Sequence, residues 1–192
     1  MPSVIALLGS TGLVGSHALR ALLQDDRTQQ VLAIVRRPLP LVHPKLVALV
    51  TPLQSPSEEL PALLSGRRLD AALCAVGTIR AQVADLAEYR RIDVDLPICF
   101  AEVCRQAGAS HFGLISAKGS QSRLGYYMKF KAEVEDRVAS LGFASLSIHK
   151  PGLLKGDRTQ HRAGEASAVR MSGFLDALMQ GPLREYRSIE ES

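Results

Sequence analysis

Short apolar runs rich in Val, Leu, Ile and Ala recur along the chain, and each is followed by a longer stretch whose apolar residues return every three or four positions. A run that is apolar at every position suits a strand covered on both faces, whereas the longer period suits an amphipathic helix. Strands are predicted on this basis over residues 4–8, 31–35, 46–50, 71–76, 112–116 and 145–149. Helices are predicted over 13–23, with Val14, Ala18, Leu19 and Leu22 along one face, over 57–64, over 86–107 and over 126–141. Pro97 lacks a backbone donor and should interrupt the third of these, while Gly108 and Gly142 stop the third and fourth. A further helix over 165–179 and a last strand near 186–189 complete the pattern. Strands alternating with helical crossovers predict an α/β fold: a Rossmann-type doubly wound parallel sheet in three layers, α/β/α. No repeat or linker marks a second domain, so residues 1–192 are expected to form one domain, with a short substrate-side segment over 153–192.

Composition narrows the field. With 46% apolar and 22% charged residues the chain is globular rather than disordered. The net charge of +4 comes from scattered arginines with no long basic run, which argues against a nucleic-acid partner. The N-terminus lacks the basic start of a signal peptide, and no stretch reaches the roughly 18 apolar residues of a membrane span. Cys74, Cys99 and Cys104 have neither metal-ligand spacing nor an even count, as expected of buried thiols in a reducing compartment. A cytoplasmic protein is expected. Asp93 and Asp95 lack a third ligand at suitable spacing, so no metal site is expected, and helix packing or capping is assigned to them.

Gly9-Ser10-Thr11-Gly12-Leu13-Val14-Gly15 follows the first strand directly and opens the first helix. In a GxxGxxG turn so placed, the first glycine allows the sharp bend and the second lets a pyrophosphate approach the backbone. The third lets the helix pack closely on the sheet. The helix N-terminus then presents free N–H groups and a positive dipole end to the phosphates. At the end of the second strand, where an NAD-selective protein usually carries an acid, stand Arg36 and Arg37. Guanidinium groups can grip a ribose 2′-phosphate, so NADP(H) is favoured over NAD(H).

Tyr127 and Lys131 form a YxxxK pair one helical turn apart, and Ser116 is expected at the C-terminal end of the fifth strand, where α/β sheets bind ligands. A phenol beside an ammonium is a usable general acid or base, and a serine hydroxyl can hydrogen-bond a substrate carbonyl. His149, at the end of the sixth strand, lies near the expected cleft, whereas His111 and His161 fit capping or loop positions better.

On GSTGLVG at 9–15, CAVGT at 74–78, the segment 90–120, YYMKFKAEVE at 126–135 and KPGLLKGDR at 150–158, the chain resembles the atypical short-chain dehydrogenase/reductases. Within that group it is similar to the TIP30/CC3-like NAD(P)-binding oxidoreductases and to bacterial proteins labelled nucleoside-diphosphate-sugar epimerase-like. Lys150 departs from the arginine often found there. The resemblance implies that Gly9, Gly12 and Gly15, with Ser10, Thr11, Leu13 and Val14, hold the pyrophosphate, and that Arg36 and Arg37 meet the adenosine phosphate. It places Ala75, Val76, Gly77 and Thr78 along the ribose path and Pro151 and Gly152 beside the nicotinamide. Ser116, Tyr127 and Lys131 would be the catalytic set, with Lys131 also on the nicotinamide ribose.

The function expected is an NADP(H)-dependent oxidoreductase acting on a small carbonyl or alcohol substrate. A cofactor-binding sensor with little turnover is the alternative. A nucleotide-sugar epimerase or dehydratase needs a sizeable C-terminal substrate domain, and only a short stretch follows the sixth strand. The partner expected is a small molecule, with neither nucleic acid nor membrane, and the long helices offer a homodimer face by analogy of fold.

Overall fold

A computed structural model describes residues 3–78 and 85–151, together with the backbone of 154–155 and 189–190. The chain resolves into two compact units, 1–149 and 150–192. The first contains β1 (Ser3–Leu8), α1 (Leu13–Gln24), β2 (Thr28–Val35), β3 (Leu46–Val50), α2 (Pro56–Leu64) and β4 (Ala71–Cys74). It continues with α3 (Leu86–Arg90), a π-helical turn (Arg91–Asp95), α4 (Leu96–Gln106), β5 (His111–Ile115), a 3₁₀ turn (Ser120–Ser122), α5 (Gly125–Ala139) and β6 (Ser145–His149). In the second unit β7 (Leu154–Lys155) pairs in parallel with β8 (Ile189–Glu190). The helix expected over 165–179, His161 and Gly152 lie outside the described residues.

The six strands of the first unit form one parallel sheet in the order β3-β2-β1-β4-β5-β6. This is the doubly wound Rossmann arrangement, and helices cover the sheet as parallel strands require. The continuous apolar runs explain the burial. Ala6, Leu7 and Leu8 of β1 and Val31 to Val35 of β2 are all buried. Leu19 and Leu23 of α1 pack with Leu7 and Val31 in one cluster. Phe100 of α4, Phe112 of β5 and Val138 of α5 belong to the larger one. The buried face of α1 is therefore Gly15, Leu19 and Leu23, with Val14, Ala18 and Leu22 at its flanks, a small rotation from the expected stripe.

Pro97 does not break the helix that contains it. It sits in the first turn of α4, and the irregularity falls just before it, where the Leu96 amide donates to the Arg91 carbonyl across five residues. The wider turn accommodates a residue that has no N–H and whose ring crowds the preceding turn. Gly108, at φ +97°, ends α4 in a Schellman arrangement: its amide donates to Arg105 and that of Ala109 to Cys104. Strand β4 stops at Cys74, two residues before the expected end; the Ala75 amide still donates to the Leu8 carbonyl, and the backbone at Ala75 and Val76 then passes close to Gly9. Likewise β5 covers His111–Ile115, and Ser116 lies just past it, its amide donating to the His149 carbonyl. Helix α5 ends at Ala139, two residues short of the expected stop.

Candidate functional site

The chain runs from β1 outward to β3 and then crosses to β4, so the C-terminal ends of β1 and β4 flank the point where the strand order reverses. Side chains and loops that leave the sheet there surround a natural ligand crevice. The glycine turn forms one wall. Gly9 has φ +91°, and a Cβ on it would lie 2.6 Å from the carbonyl carbon and oxygen of Ala75. Both the bend and the approach to the end of β4 therefore require glycine. A Cβ on Gly15 would overlap the Gly9 carbonyl oxygen, so the third glycine lets α1 close on the turn itself rather than on the sheet.

Gly12 differs from both. It is the N-cap of α1, and the nearest atom to an added Cβ would be the Gly9 oxygen at 3.4 Å, an ordinary contact. Among the described residues nothing demands glycine there, and the exposed backbone offers a ligand a close approach. The first turn of α1 has no side-chain cap and no acidic residue, which leaves its N–H groups and its dipole open to an anion. Ser10 is buried, and its hydroxyl has no hydrogen-bond partner among the described residues. An open cradle, free amides and an orphaned hydroxyl are what a phosphate group satisfies. The residues present thus fit the phosphates of a dinucleotide.

Arg36 and Arg37 emerge exposed at the end of β2, and neither pairs with a carboxylate among the described residues. At the end of β4, Gly77 brings the backbone close to two charged groups: a Cβ there would be 3.3 Å from Lys131 Nζ and 3.5 Å from Asp93 Oδ1. Those groups form an ion pair at 3.2 Å. Asp93 is 0% exposed and Lys131 7%. The second oxygen of Asp93 accepts the Thr78 amide at 3.0 Å. Burial pushes the Asp93 carboxyl above its ordinary pKa, and Lys131 and the Thr78 amide pull it back. Lys131 Nζ lies 5.8 Å from the centre of the Tyr127 ring, within cation–π range, and Tyr127 is 39% exposed at the start of α5. The expected Tyr127–Lys131 pair thus sits beside the end of β4, with Asp93 behind it.

Ser116 is at the expected edge of the sheet, but its hydroxyl turns inward and donates to Glu135 of α5. Glu135 was not singled out in the sequence, and Asp93, assigned there to helix packing or capping, instead pairs with Lys131 and accepts the Thr78 amide. Asp93 faces Lys131 because the π-helical turn carries it inward, a feature whose only sequence trace is Pro97 four residues on. Glu135 continues the Tyr127, Lys131 spacing by one more turn, a signal that could have been followed. Pro151 belongs to the second unit. Cys74 is fully buried, and burial pushes its thiol up to about 11, as suits a core residue rather than a nucleophile.

Sheet order, glycine turn and buried lysine together define a dinucleotide-binding Rossmann protein. Residues 5–121 match the NAD dependent epimerase/dehydratase family, and the chain belongs to that family. It is 33% identical over 187 residues to Protein fmp-52, mitochondrial, of Neurospora crassa, covering 94% of this chain and 74% of that one. Protein HTATIP2 of Rattus norvegicus is 30% identical over 175 residues, covering 89% and 71%. Among solved structures, a short chain dehydrogenase family protein of Francisella tularensis superposes with a TM-score of 0.70 at 15% identity, covering 98% of this chain and 86% of that one. The Bordetella bronchiseptica enzyme WbmH, solved in complex with NAD+, gives 0.70 at 14% identity; this chain spans 91% of its own length and 64% of that enzyme's. The solved structures share the Rossmann fold of this chain, and a nicotinamide dinucleotide is the cofactor the NAD dependent epimerase/dehydratase family implies. The expectation of a cytoplasmic protein is overturned: the fungal relatives of this chain are named mitochondrial.

Proposed function

We propose that the chain is an NADP(H)-dependent oxidoreductase that interconverts a small carbonyl compound and its alcohol. The observation that carries this reading is the placement of Lys131 against Gly77, Asp93 and the Tyr127 ring, at the same sheet edge as the open glycine cradle. The free amides of α1, Gly12 and Ser10 would hold the pyrophosphate, and the exposed Arg36 and Arg37 would grip a 2′-phosphate. When bound, the dinucleotide supplies the hydride chemistry, and the protein supplies orientation and proton traffic. Tyr127 exchanges the proton with the substrate oxygen. Lys131, oriented by Asp93, sets a positive charge beside the Tyr127 ring and would hold the ribose hydroxyls.

Thermal unfolding with NADPH, NADP, NADH and NAD tests the proposal. A ligand that binds only the folded state stabilises it by mass action, by about 2.7 kcal/mol at a hundredfold excess over Kd. The phosphorylated pair should raise the melting temperature at concentrations where the other two do not. Equal shifts would remove the arginine argument, and no shift with any coenzyme would end the reading.

A further inference from the structure

Glu135 lies one turn beyond Lys131 and two turns beyond Tyr127 on the same face of α5, and it is 5% exposed. A carboxylate so deeply placed needs donors for its oxygens. Oε1 accepts the Ser116 hydroxyl, itself only 6% exposed, and Oε2 accepts the Gln121 side-chain amide at 3.2 Å. Ser116 stands just past β5, and Gln121 is the middle of the 3₁₀ turn. One side chain of α5 therefore grips the start and the 3₁₀ turn of the loop that leads from the sheet into that helix. Arg123, in the left-handed region at φ +51°, adds an exposed ion pair to Asp136 at 2.5 Å. Leu124 gives α5 no side-chain cap, so these contacts rather than a capping hydroxyl set how the chain enters the helix. Tyr127 is in its first turn.

We infer that Glu135 is a positioning residue with two effects: it fixes the loop that delivers Tyr127, and it withdraws Ser116 as a hydrogen donor to the substrate oxygen. A serine hydroxyl has one hydrogen and two lone pairs. With the hydrogen committed to a carboxylate, Ser116 offers a ligand acceptor capacity alone. A carbonyl oxygen is an acceptor too and gains nothing from it. Tyr127 is then the donor that meets a substrate carbonyl, and Ser116 serves the site through the loop. The second effect rests on the proposed proton exchange by Tyr127; the clamp itself does not.

The test uses the full chain without coenzyme. Hydrogen exchange is followed over residues 117–125, and NMR of ring-labelled tyrosine follows Tyr127, its signal assigned by its loss in Tyr127→Phe. Ser116→Ala and Glu135→Ala should each speed exchange in that segment about tenfold, the order of one hydrogen bond to a charged group. The double variant should go no further than the larger single. Both singles should move the Tyr127 signal alike. Glu135→Gln, which keeps an acceptor for Ser116 and a polar group for Gln121, should restore exchange and signal to the parent values, whereas Glu135→Met, which fills similar space with no carbonyl acceptor, should behave like Ala; rescue by Met would mean that the side chain merely fills space and would overturn the inference. The inference is overturned if Ser116→Ala leaves exchange and the Tyr127 signal unchanged, if the two singles add, or if Gln behaves like Ala. Should Glu135→Ala fail to fold, Gln121→Met cuts the second arm instead and must speed exchange over the same residues. Failure of the coenzyme titration would sink the proposed function and leave these outcomes unaffected, so the two failures are told apart.

Discussion

Gly12 and Gly15 stand three residues apart in one turn, yet a methyl group would meet very different surroundings at the two. At Gly15 it overlaps the Gly9 carbonyl, and relief requires the helix or the turn to move. At Gly12 it meets ordinary contact at 3.4 Å. Gly15→Ala should therefore lower unfolding stability by roughly 3 kcal/mol, an overpacking cost borne by backbone. Gly12→Ala should stay within about 1 kcal/mol of the parent, the usual range for an N-cap change. It should nevertheless lose NADPH binding in a calorimeter, because the added carbon occupies the ligand's approach. A Gly12 variant that binds normally would show that the cradle is not the phosphate site. The three glycines were legible because their roles are local: spacing, a strand before and a helix after. Asp93 was not legible, because it owes its importance to burial against a distant partner, Lys131, and in the sequence it looks like any acid on a helix. The helical spacing of Glu135 from Lys131 could be read, but its partner Ser116 could not.

Among the elements, the loop from β3 into α2 has a comparable device in Glu59. Its carboxylate accepts the Thr51 hydroxyl and the amides of Leu53, Gln54 and Ser55, the last three at 2.7, 2.8 and 2.8 Å. The loop it ties includes Leu53 at φ +57°, a conformation that a branched side chain adopts at a cost. The Thr51 hydroxyl and then the backbone amides hold the Glu59 carboxyl down to about 2. A depressed carboxyl contributes stability that is present above its unfolded pKa and lost as pH falls toward the folded one. Urea unfolding of the parent and of Glu59→Gln should therefore differ at neutral pH, with the parent more stable. The gap should close as pH falls from about 4.5 to about 2. A gap that held constant through that range would mean the charge of Glu59 contributes nothing. The extent of β3 and β6 could be read from their apolar runs and flanking breakers, and both occupy the expected residues. The end of β4 could not, since it depends on how closely the backbone at Ala75 and Val76 passes Gly9. Nor could the position of the irregularity before Pro97, because a π-helical turn has no periodicity of its own.

At the scale of the whole molecule, the parallel sheet and its doubly wound layers followed from alternation alone, since each βαβ connection has one favoured hand and few alternatives. Cellular location did not follow, for composition constrains solubility and not address. Within the half of the first unit that follows the strand-order reversal, the Asp93–Lys131 pair ties the π-helical turn to α5 past the end of β4. Asp93→Asn would leave a buried ammonium without its counter-charge, and losing one partner of such a pair costs about 3–5 kcal/mol. Replacing both by apolar groups of similar size is often neutral, because neither charge then has to be desolvated. Asp93→Leu combined with Lys131→Met should consequently unfold near the parent's midpoint, while Asp93→Asn alone unfolds well below it. The double variant should also fail to gain stability from NADPH, since the ammonium proposed to hold the ribose is gone. Recovery of stability without recovery of the NADPH response would assign the pair to binding rather than to the fold. If the double variant responded to NADPH as the parent does, Lys131 would have no part in holding the dinucleotide, and the proton-transfer role of Tyr127 would lose its cationic neighbour as an argument.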